Sequence, residues 1–570
     1  MPWRANWPGA WIWTDMRAAI LLLLCAPALA AAPRLILTPE RAAELRQAIA
    51  RPDSPHARIF ALLKRQVDNE PWFDPGSRNW NYGRAYHATA AAFLYQLTNE
   101  NQYCEIAFQT LSDIHAKPGP DRRLPEEGYG LSRATVGAGF AFAYDWCGEA
   151  WSAAQRAAVR AVLIRSLDLW TEFRHPNVEA PHRGSNWVAV CRGGELLMLI
   201  GARLEKERAA RYAFLKEELR LHMQNYDELG VSQEGIGYTG YGGIFLLRAL
   251  LALRALGDRG LEAEAARHAW WKQAMYAGSF STRPGMGRIF LMSGVGGPGI
   301  GDEGWASLLL AFVPRQHQGH FLFWYERHAG PDYDPRREGR VWALLNYPLH
   351  IAPEDPTGRL PAAVTGSAGL TLFRDRWKDS NDVLVSLHAD TQYHSHAWDQ
   401  PEALQINLFA NGRLWLGGPN KERAPELFSK PLVDGRSGDQ RLTGEARGFG
   451  VEGRRAWAVA GGGAQYRSLG VEQAERRVDV DFSGNPAMIR VRDRLAASAP
   501  RCFAWNGRFG EDGMRVEFSG EDFVLTAPGG AQLPGRLRAP RGLAPASPGA
   551  LRFEAAAAAA VFDLEFRVPR

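Results

Sequence analysis

Ala403-Leu404-Gln405-Ile406-Asn407-Leu408-Phe409-Ala410-Asn411-Gly412-Arg413-Leu414-Trp415-Leu416 is the stretch on which the architecture turns. Two runs of apolar and β-prone residues flank Asn411-Gly412, the dipeptide best able to take positive φ at both centres of a tight hairpin. Upstream, Val383 to Leu387 and Leu370-Thr371-Leu372-Phe373 read as further strands. Downstream, Arg477 to Phe482, Met488 to Val491 and Val561 to Phe566 continue the pattern to the end of the chain. This half is expected to be an antiparallel β-sandwich over 365–570.

Before residue 335 the apolar period is helical. Thr38-Pro39-Glu40 is a helix start, with a capping hydroxyl and proline in the first turn. Amphipathic segments follow near 54–69, 83–98, 102–115, 131–145, 152–172, 187–201, 205–226, 241–256 and 261–277. Several pair through short turns such as Trp146-Cys147-Gly148 and Leu256-Gly257-Asp258. Stacked helical hairpins of this length close into an incomplete α/α toroid, expected over 31–335. Residues 336–364, rich in Pro and Gly, are read as the linker between the halves. The fold class is α+β and multidomain, toroid first and sandwich second.

At 570 residues the chain exceeds one ordinary core, and 46% hydrophobic with 23% charged residues is a globular balance. The net charge of +5 is spread along the chain, and no basic run marks a nucleic-acid binder. A mild positive field favours an anionic substrate. Twenty tryptophans and sixteen tyrosines suit a carbohydrate binder, although core packing uses the same rings. Met16-Arg17, the apolar run Ala18 to Leu24 and the small-residue site Ala28-Leu29-Ala30 read as a secretory signal over 1–30, with Met16 a second candidate start. That run is too short to span a bilayer, so a periplasmic or secreted protein is expected. Cys104, Cys147, Cys191 and Cys502 form no CxxC pair. Whether Cys104 and Cys147 join is left open by the sequence.

Three segments carry polar and aromatic residues that packing does not demand: His182 to Gly194, Asp227 to Gly242 and Tyr393 to Asp399. Alone, Asn186 reads as a helix N-cap, and Tyr238 and Tyr241 read as packing residues of a loop before an apolar helix. His394-Ser395-His396 on a strand would put both imidazoles on one face, a geometry for metal binding or catalysis.

Together the segments resemble the heparinase II/III-like superfamily of polysaccharide lyases, which includes alginate lyases of similar build. The resemblance covers nearly all the mature chain. It rests on Asn-Trp-x-x-x-Cys-x-Gly-Gly at 186–194, Glu-Gly-x-x-Tyr-x-x-Tyr-Gly at 234–242, His-x-His-x-x-Asp at 394–399 and Ala143-Tyr144-Asp145-Trp146. It implies β-elimination on a uronate glycan. Asn186 would neutralise the carboxylate, Tyr241 would serve as acid and, for some epimers, base, and His394 would be the base for the opposite epimer. Tyr238, Arg183, Arg192, His396 and Trp187 are the residues it puts against substrate, and Glu234 is expected to brace the loop. A tyrosine base, with an ordinary pKa near 10, would need a cation nearby.

Several relatives carry a structural zinc in the sandwich. Here Gly417-Gly418-Pro419 stands where its Asp-Pro-Gly would fall, Phe428 stands at its histidine, and no histidine follows His396. No metal or cofactor is therefore expected. Ala189 replaces a residue often charged in the family, which points to a different substrate preference. The expected partner is an anionic polysaccharide or oligosaccharide, with no nucleic acid and no membrane span; oligomeric state is not indicated.

Two other readings compete. A glycoside hydrolase on an α/α toroid needs two carboxyl groups flanking the bond, for which Asp227, Glu228, Asp302 and Glu303 are the candidates. A glycan-binding protein without catalysis would explain the decayed zinc site.

Overall fold

The computed structural model describes residues 33–69, 80–116, 130–179, 182–232, 234–280, 282, 288–290, 304–330, 339–392, 402–418, 424–439, 441–539 and 550–569. The signal-like segment, the His394 to Asp399 motif, Asp302 and Glu303 lie outside these residues.

The helical half runs α1 (Pro39–Ile49), α2 (Pro55–Asn69), α3 (Trp80–Thr98), α4 (Gln102–Ala116), α5 (Gly130–Cys147), α6 (Ala153–Thr171), α7 (Asn186–Gly201), α8 (Ala209–Met223) and α9 (Gly235–Ala255). It continues with α10 (Glu262–Ala265), α11 (Trp270–Ala277), α12 (Trp305–Leu309), α13 (Gln318–Trp324) and α14 (Gly339–Asn346). At α1 the Thr38 hydroxyl accepts the Arg41 N–H at 3.2 Å, as the capping pattern requires.

Helices α3, α5, α7 and α9 pack each on the next and are buried on nearly all sides. Small residues permit this. A Cβ on Gly139 would lie 2.7 Å from the Ala85 Cβ, one on Gly194 2.7 Å from the Ala134 Cβ, and one on Gly193 2.9 Å from the Phe245 carbonyl. Alternate helices thus form an inner ring and the intervening amphipathic ones an outer ring, which is the double wall of an α/α toroid. Helix α9 is long and apolar enough to cross a membrane, and 78% of its most apolar window is buried in this core. The Ala143 to Trp146 signature fastens the chain's start to the ring. Asp145 accepts the Arg34 and Leu35 N–H groups, each at 2.7 Å, and the Trp146 indole donates to the Leu35 carbonyl. Cys104 and Cys147 form a disulfide between α4 and the end of α5, their Cα atoms 5.4 Å apart.

The strands are β1 (Gly278–Phe280), β2 (Arg288–Phe290), β3 (Ala363–Thr365), β4 (Leu370–Arg374), β5 (Val383–His388), β6 (Ile406–Ala410), β7 (Arg413–Leu416), β8 (Pro431–Val433), β9 (Glu445–Glu452) and β10 (Arg455–Gly461). They end with β11 (Gln473–Asp481), β12 (Ala487–Arg508), β13 (Arg515–Ser519), β14 (Asp522–Thr526), β15 (Gln532–Ala539) and β16 (Ala550–Val568). Strands β3 to β7 make a five-stranded antiparallel sheet in chain order. The second sheet runs β13-β14-β15-β16-β12-β11-β10-β9, with β8 pairing β12. Asn411 (φ 52°) and Gly412 (φ 71°) both occupy the left-handed region, as the hairpin demands.

The five-stranded sheet is buried on both faces. Leu370 and Leu372 join the helical core, while Phe373, Val383, Val385 and Leu387 join the sandwich core. This explains why β4 and β5 read as continuous apolar runs rather than alternating ones. One expectation is corrected: the stretch taken as linker contains α14, whose Trp342 is wholly buried with the Arg248 guanidinium 4.7 Å from its ring. The join proper is 347–362, and β3 already begins at Ala363.

Candidate active site

The site is built at the entries of α7 and α9. Ser185, not Asn186, caps α7: its hydroxyl accepts the Trp187 N–H at 3.3 Å, and Asn186 is the first helical residue. The N-cap reading of Asn186 is therefore displaced by one residue, which frees its amide for another partner. That partner is Glu234. One carboxylate oxygen takes the Asn186 backbone N–H at 2.5 Å and the Asn186 Nδ2–H at 2.9 Å, while the other takes the Ser185 hydroxyl at 3.2 Å. Glu234 braces its loop, as expected, by gripping the neighbouring motif.

Because a carboxylate only accepts, this grip fixes which end of the amide faces it. The Asn186 Oδ1 is turned away, buried and without a hydrogen-bond partner among the described residues. A buried amide oxygen left in this state is destabilising unless a ligand satisfies it.

Residues 235–242 differ from expectation. They are not a loop but the first two turns of α9, which Gly235 enters at φ 78°. Tyr238 and Tyr241 are therefore three residues apart on one helical face, both half-buried. Gly242 brings α9 against α7: a Cβ there would lie 3.2 Å from Cα and Cβ of Asn186. The Tyr241 backbone is thus adjacent to Asn186. Burial, with the Glu234 charge nearby, raises the Tyr238 pKa, which disfavours loss of its proton.

The remaining candidates divide. Arg183 is half-exposed on the turn before α7, its Nη2 3.4 Å from the Glu218 carboxylate. His222 anchors that turn through the Arg183 carbonyl at 2.7 Å and the Tyr226 hydroxyl at 3.0 Å. Burial pushes the His222 pKa down to about 4. It is neutral at pH 7, donating from Nδ1 and accepting at Nε2. Trp187 is half-exposed, but His175 stacks on it at 4.1 Å and nearly parallel, so one ring face is already covered. Arg192 leaves the substrate-contact set. It lies about 240° around α7 from Asn186, is 5% exposed, and packs 3.6 Å from Glu195 and 5.2 Å from the Phe214 ring.

His394 and His396 lie outside the described residues, but the flanks of their segment do not. The Glu402 N–H donates to Asp390 at 3.1 Å, and His388 Nδ1 is 3.1 Å from the Glu402 carboxylate. His388 Nε2 in turn is 3.0 Å from the Ser386 hydroxyl. Both ends of the segment are thereby tied into the sheet. Nothing in the sequence singled out these buried polar residues.

Two of the hydrolase candidates have structural work instead. Asp227 accepts the Val231 N–H at 2.7 Å and the Ala368 N–H at 3.2 Å; Glu228 accepts the Ser367 N–H at 2.9 Å and its hydroxyl at 2.8 Å. Both carboxylates clamp the β3–β4 turn of the sandwich onto the toroid. Burial pushes Asp227 up to about 6, whereas for Glu228 burial is outweighed by the bonds from Ser367 and from its own backbone N–H together, which lower its pKa.

Of the zinc positions that the resemblance implies, Phe428 is described and His396 is not. Phe428 is fully buried, and the Nζ of the equally buried Lys430 lies 5.8 Å from its ring. At the position where the resemblance puts a zinc histidine, a phenyl ring offers no lone pair. Among the described residues no three His, Cys, Asp or Glu converge.

No protein-family model matches the chain, and no curated protein matches it in sequence. Solved structures do. Heparan sulfate lyase HepC from Pedobacter heparinus aligns at a TM-score of 0.55 with 12% identity, over 93% of this chain and 87% of its own. A structure described as Heparinase III aligns at 0.56 with 11% identity, over 88% and 80%. At such identities the likeness is one of architecture, and the chain has the helical-toroid-plus-sandwich fold of these polysaccharide lyases.

Proposed function

We propose that the chain is a secreted polysaccharide lyase that cleaves uronate-containing glycans by β-elimination. The observation that carries this reading is the Glu234 grip on Asn186, which holds an amide with an unused oxygen beside the helix that bears Tyr241.

Elimination takes the C5 proton, forms the C4–C5 double bond, breaks the C4–O bond and returns a proton to the leaving oxygen. The C5 proton becomes acidic only when the carboxylate's charge is neutralised and the developing enolate is stabilised. Asn186 offers an N–H and the free Oδ1 side by side, a pair suited to a carboxyl group in its protonated form. Tyr241 protonates the leaving oxygen, and His394 accepts the C5 proton, both roles being those the family resemblance implies. Tyr238 and Arg183 contact substrate, as do Trp187 and His396. No metal is assigned to the reaction. Secretion accords with the signal-like N-terminus and with the buried Cys104–Cys147 disulfide.

The test is a panel of uronate polysaccharides, with ultraviolet absorbance reporting unsaturated ends and a reducing-end assay beside it. Unsaturated product is expected on at least one polymer, lost in Tyr241→Phe. New reducing ends without ultraviolet absorbance, or full turnover by Tyr241→Phe, would overturn the mechanism.

A further inference from the structure

The outer face of the nine-stranded sheet carries a feature that elimination does not use. Antiparallel register sets Val459, Arg477 and Arg492 side by side on β10, β11 and β12, with Trp457, Asp479 and Arg490 in the row beside them. Gly461, Glu475 and Arg494 form the third row. Val478, Val480, Ile489 and Val491, on alternate positions, fill the sandwich core. Three arginines thus descend β12 at every second residue, roughly 7 Å apart.

These rows, Gly461 apart, line a groove of about 750 Å³ together with Arg447 and Gly448. Its floor exists because β9 supplies glycine there. A Cβ on Gly448 would lie 2.9 Å from the Trp457 ring and one on Gly450 2.6 Å from its indole nitrogen, so only glycine lets the ring lie flat across the strand. Trp457 is half-exposed, with the Arg477 guanidinium 4.7 Å from its centre.

The arginines are held in a common way. Arg490 and Arg492 both give Nε and Nη2 to Asp563, and Arg477 gives the same two nitrogens to Asp479. The carboxylates grip one edge of each guanidinium, and the Nη1 of all three donates no hydrogen bond among the described residues. Arg494 is 53% exposed, with Glu475 no nearer than 4.0 Å. Five lining arginines outnumber the lining carboxylates Glu475 and Asp479. Guanidiniums braced on one edge present fixed donors to an anion on the other.

We propose that this groove is a second, non-catalytic site that holds an acidic polysaccharide. Carboxylate or sulfate groups would lie on the Nη1 edges and a sugar face on Trp457. The interleaved carboxylates favour discrete anionic groups at intervals over a continuous phosphodiester chain. The choice of ligand rests on the lyase reading; the groove itself does not.

Affinity electrophoresis of the full chain tests it, in gels containing heparan sulfate, alginate or neutral dextran, with a double-stranded DNA as competing polyanion. Arg492→Ala/Arg494→Ala and Trp457→Ala are compared with Arg515→Ala, an exposed arginine on another strand, and thermal melts verify folding. Retardation by an acidic glycan should weaken by about tenfold in the groove variants. It should persist in Arg515→Ala and Tyr241→Phe, and dextran should not retard any form. Unchanged retardation in the groove variants, equal loss in Arg515→Ala, or tighter groove-dependent binding of DNA would overturn the proposal. Groove-dependent retardation without unsaturated product would leave this site standing while the lyase reading failed.

Discussion

Replacing Glu234 separates the charge of the brace from its presence. Among the described residues the carboxylate receives three donors, two from Asn186 and one from Ser185, and is 1% exposed. Hydrogen bonds to a charged group contribute about 1.5–3 kcal/mol each, and neutral ones about 0.5–1.5. In Glu234→Gln the amide oxygen can keep both Asn186 donors while its NH2 turns to the Ser185 hydroxyl, so the loss is about 2 kcal/mol. In Glu234→Ala two N–H groups and a hydroxyl are left without acceptor, at about 1–3 kcal/mol each; even with a water entering, about 4 kcal/mol is expected. Urea unfolding followed by tryptophan fluorescence should therefore place Ala well below Gln, and Gln below the native chain. The elimination rate should follow the same order: an amide displaced by about 1 Å loses roughly a hundredfold in kcat, with KM moving far less. If Glu234→Ala unfolds at the native urea concentration, the brace does not hold Asn186. If Gln and Ala are equally impaired, charge rather than shape is what the site needs.

Two further perturbations test other levels of the structure. The buried Lys430 donates to the Ser437 carbonyl at 2.9 Å, and burial pushes its pKa down to about 7 although Asp390 and Glu402 oppose the shift. Between pH 7 and pH 10 the unfolded chain then holds a proton that the folded one has lost, so stability relative to Lys430→Met should rise by about 1.4 kcal/mol per pH unit. Urea midpoints at pH 7, 8 and 9 that stay parallel for the two proteins would contradict this. On α9, a Cβ on Gly243 would lie 2.1 Å from the Trp305 ring, and one on Gly240 3.9 Å. Gly243→Ala should cost about 1–3 kcal/mol by overpacking, whereas Gly240→Ala should gain up to about 1 kcal/mol from helix propensity; thermal melts of the pair decide it.

Much of the frame was legible because local rules and tertiary needs agreed. Thr38 capped the first helix, and Asn411-Gly412 turned the hairpin. Where they disagreed, the sequence misled. Ser185 and Asn186 are both capping types, and only Glu234, 48 residues beyond Asn186, determines which one caps. Gly235, Gly237 and Gly240 argue locally against a helix, so the first turns of α9 looked like loop. The closely following Gly242 shows what that weak helix former supplies, a near approach to α7. Arg192 shared a motif with Asn186 but not a helical face. Helix α14 was hidden because its eight residues are set among prolines and glycines and are held by burying Trp342. The Asp390, Glu402 and His388 ties had no signal at all, since each is an isolated polar residue whose partner is supplied by folding.

Asp227 and Glu228 hold the sandwich, and only a few residues later Glu234 holds the amide. One short span thus sets the angle between the halves and the aim of the reactive group together. A drift that re-tilted the sandwich to accept a bulkier polymer would pull on that span and disturb the chemistry. Substrate range in such a protein is therefore freer to change through its rim loops than through its joint.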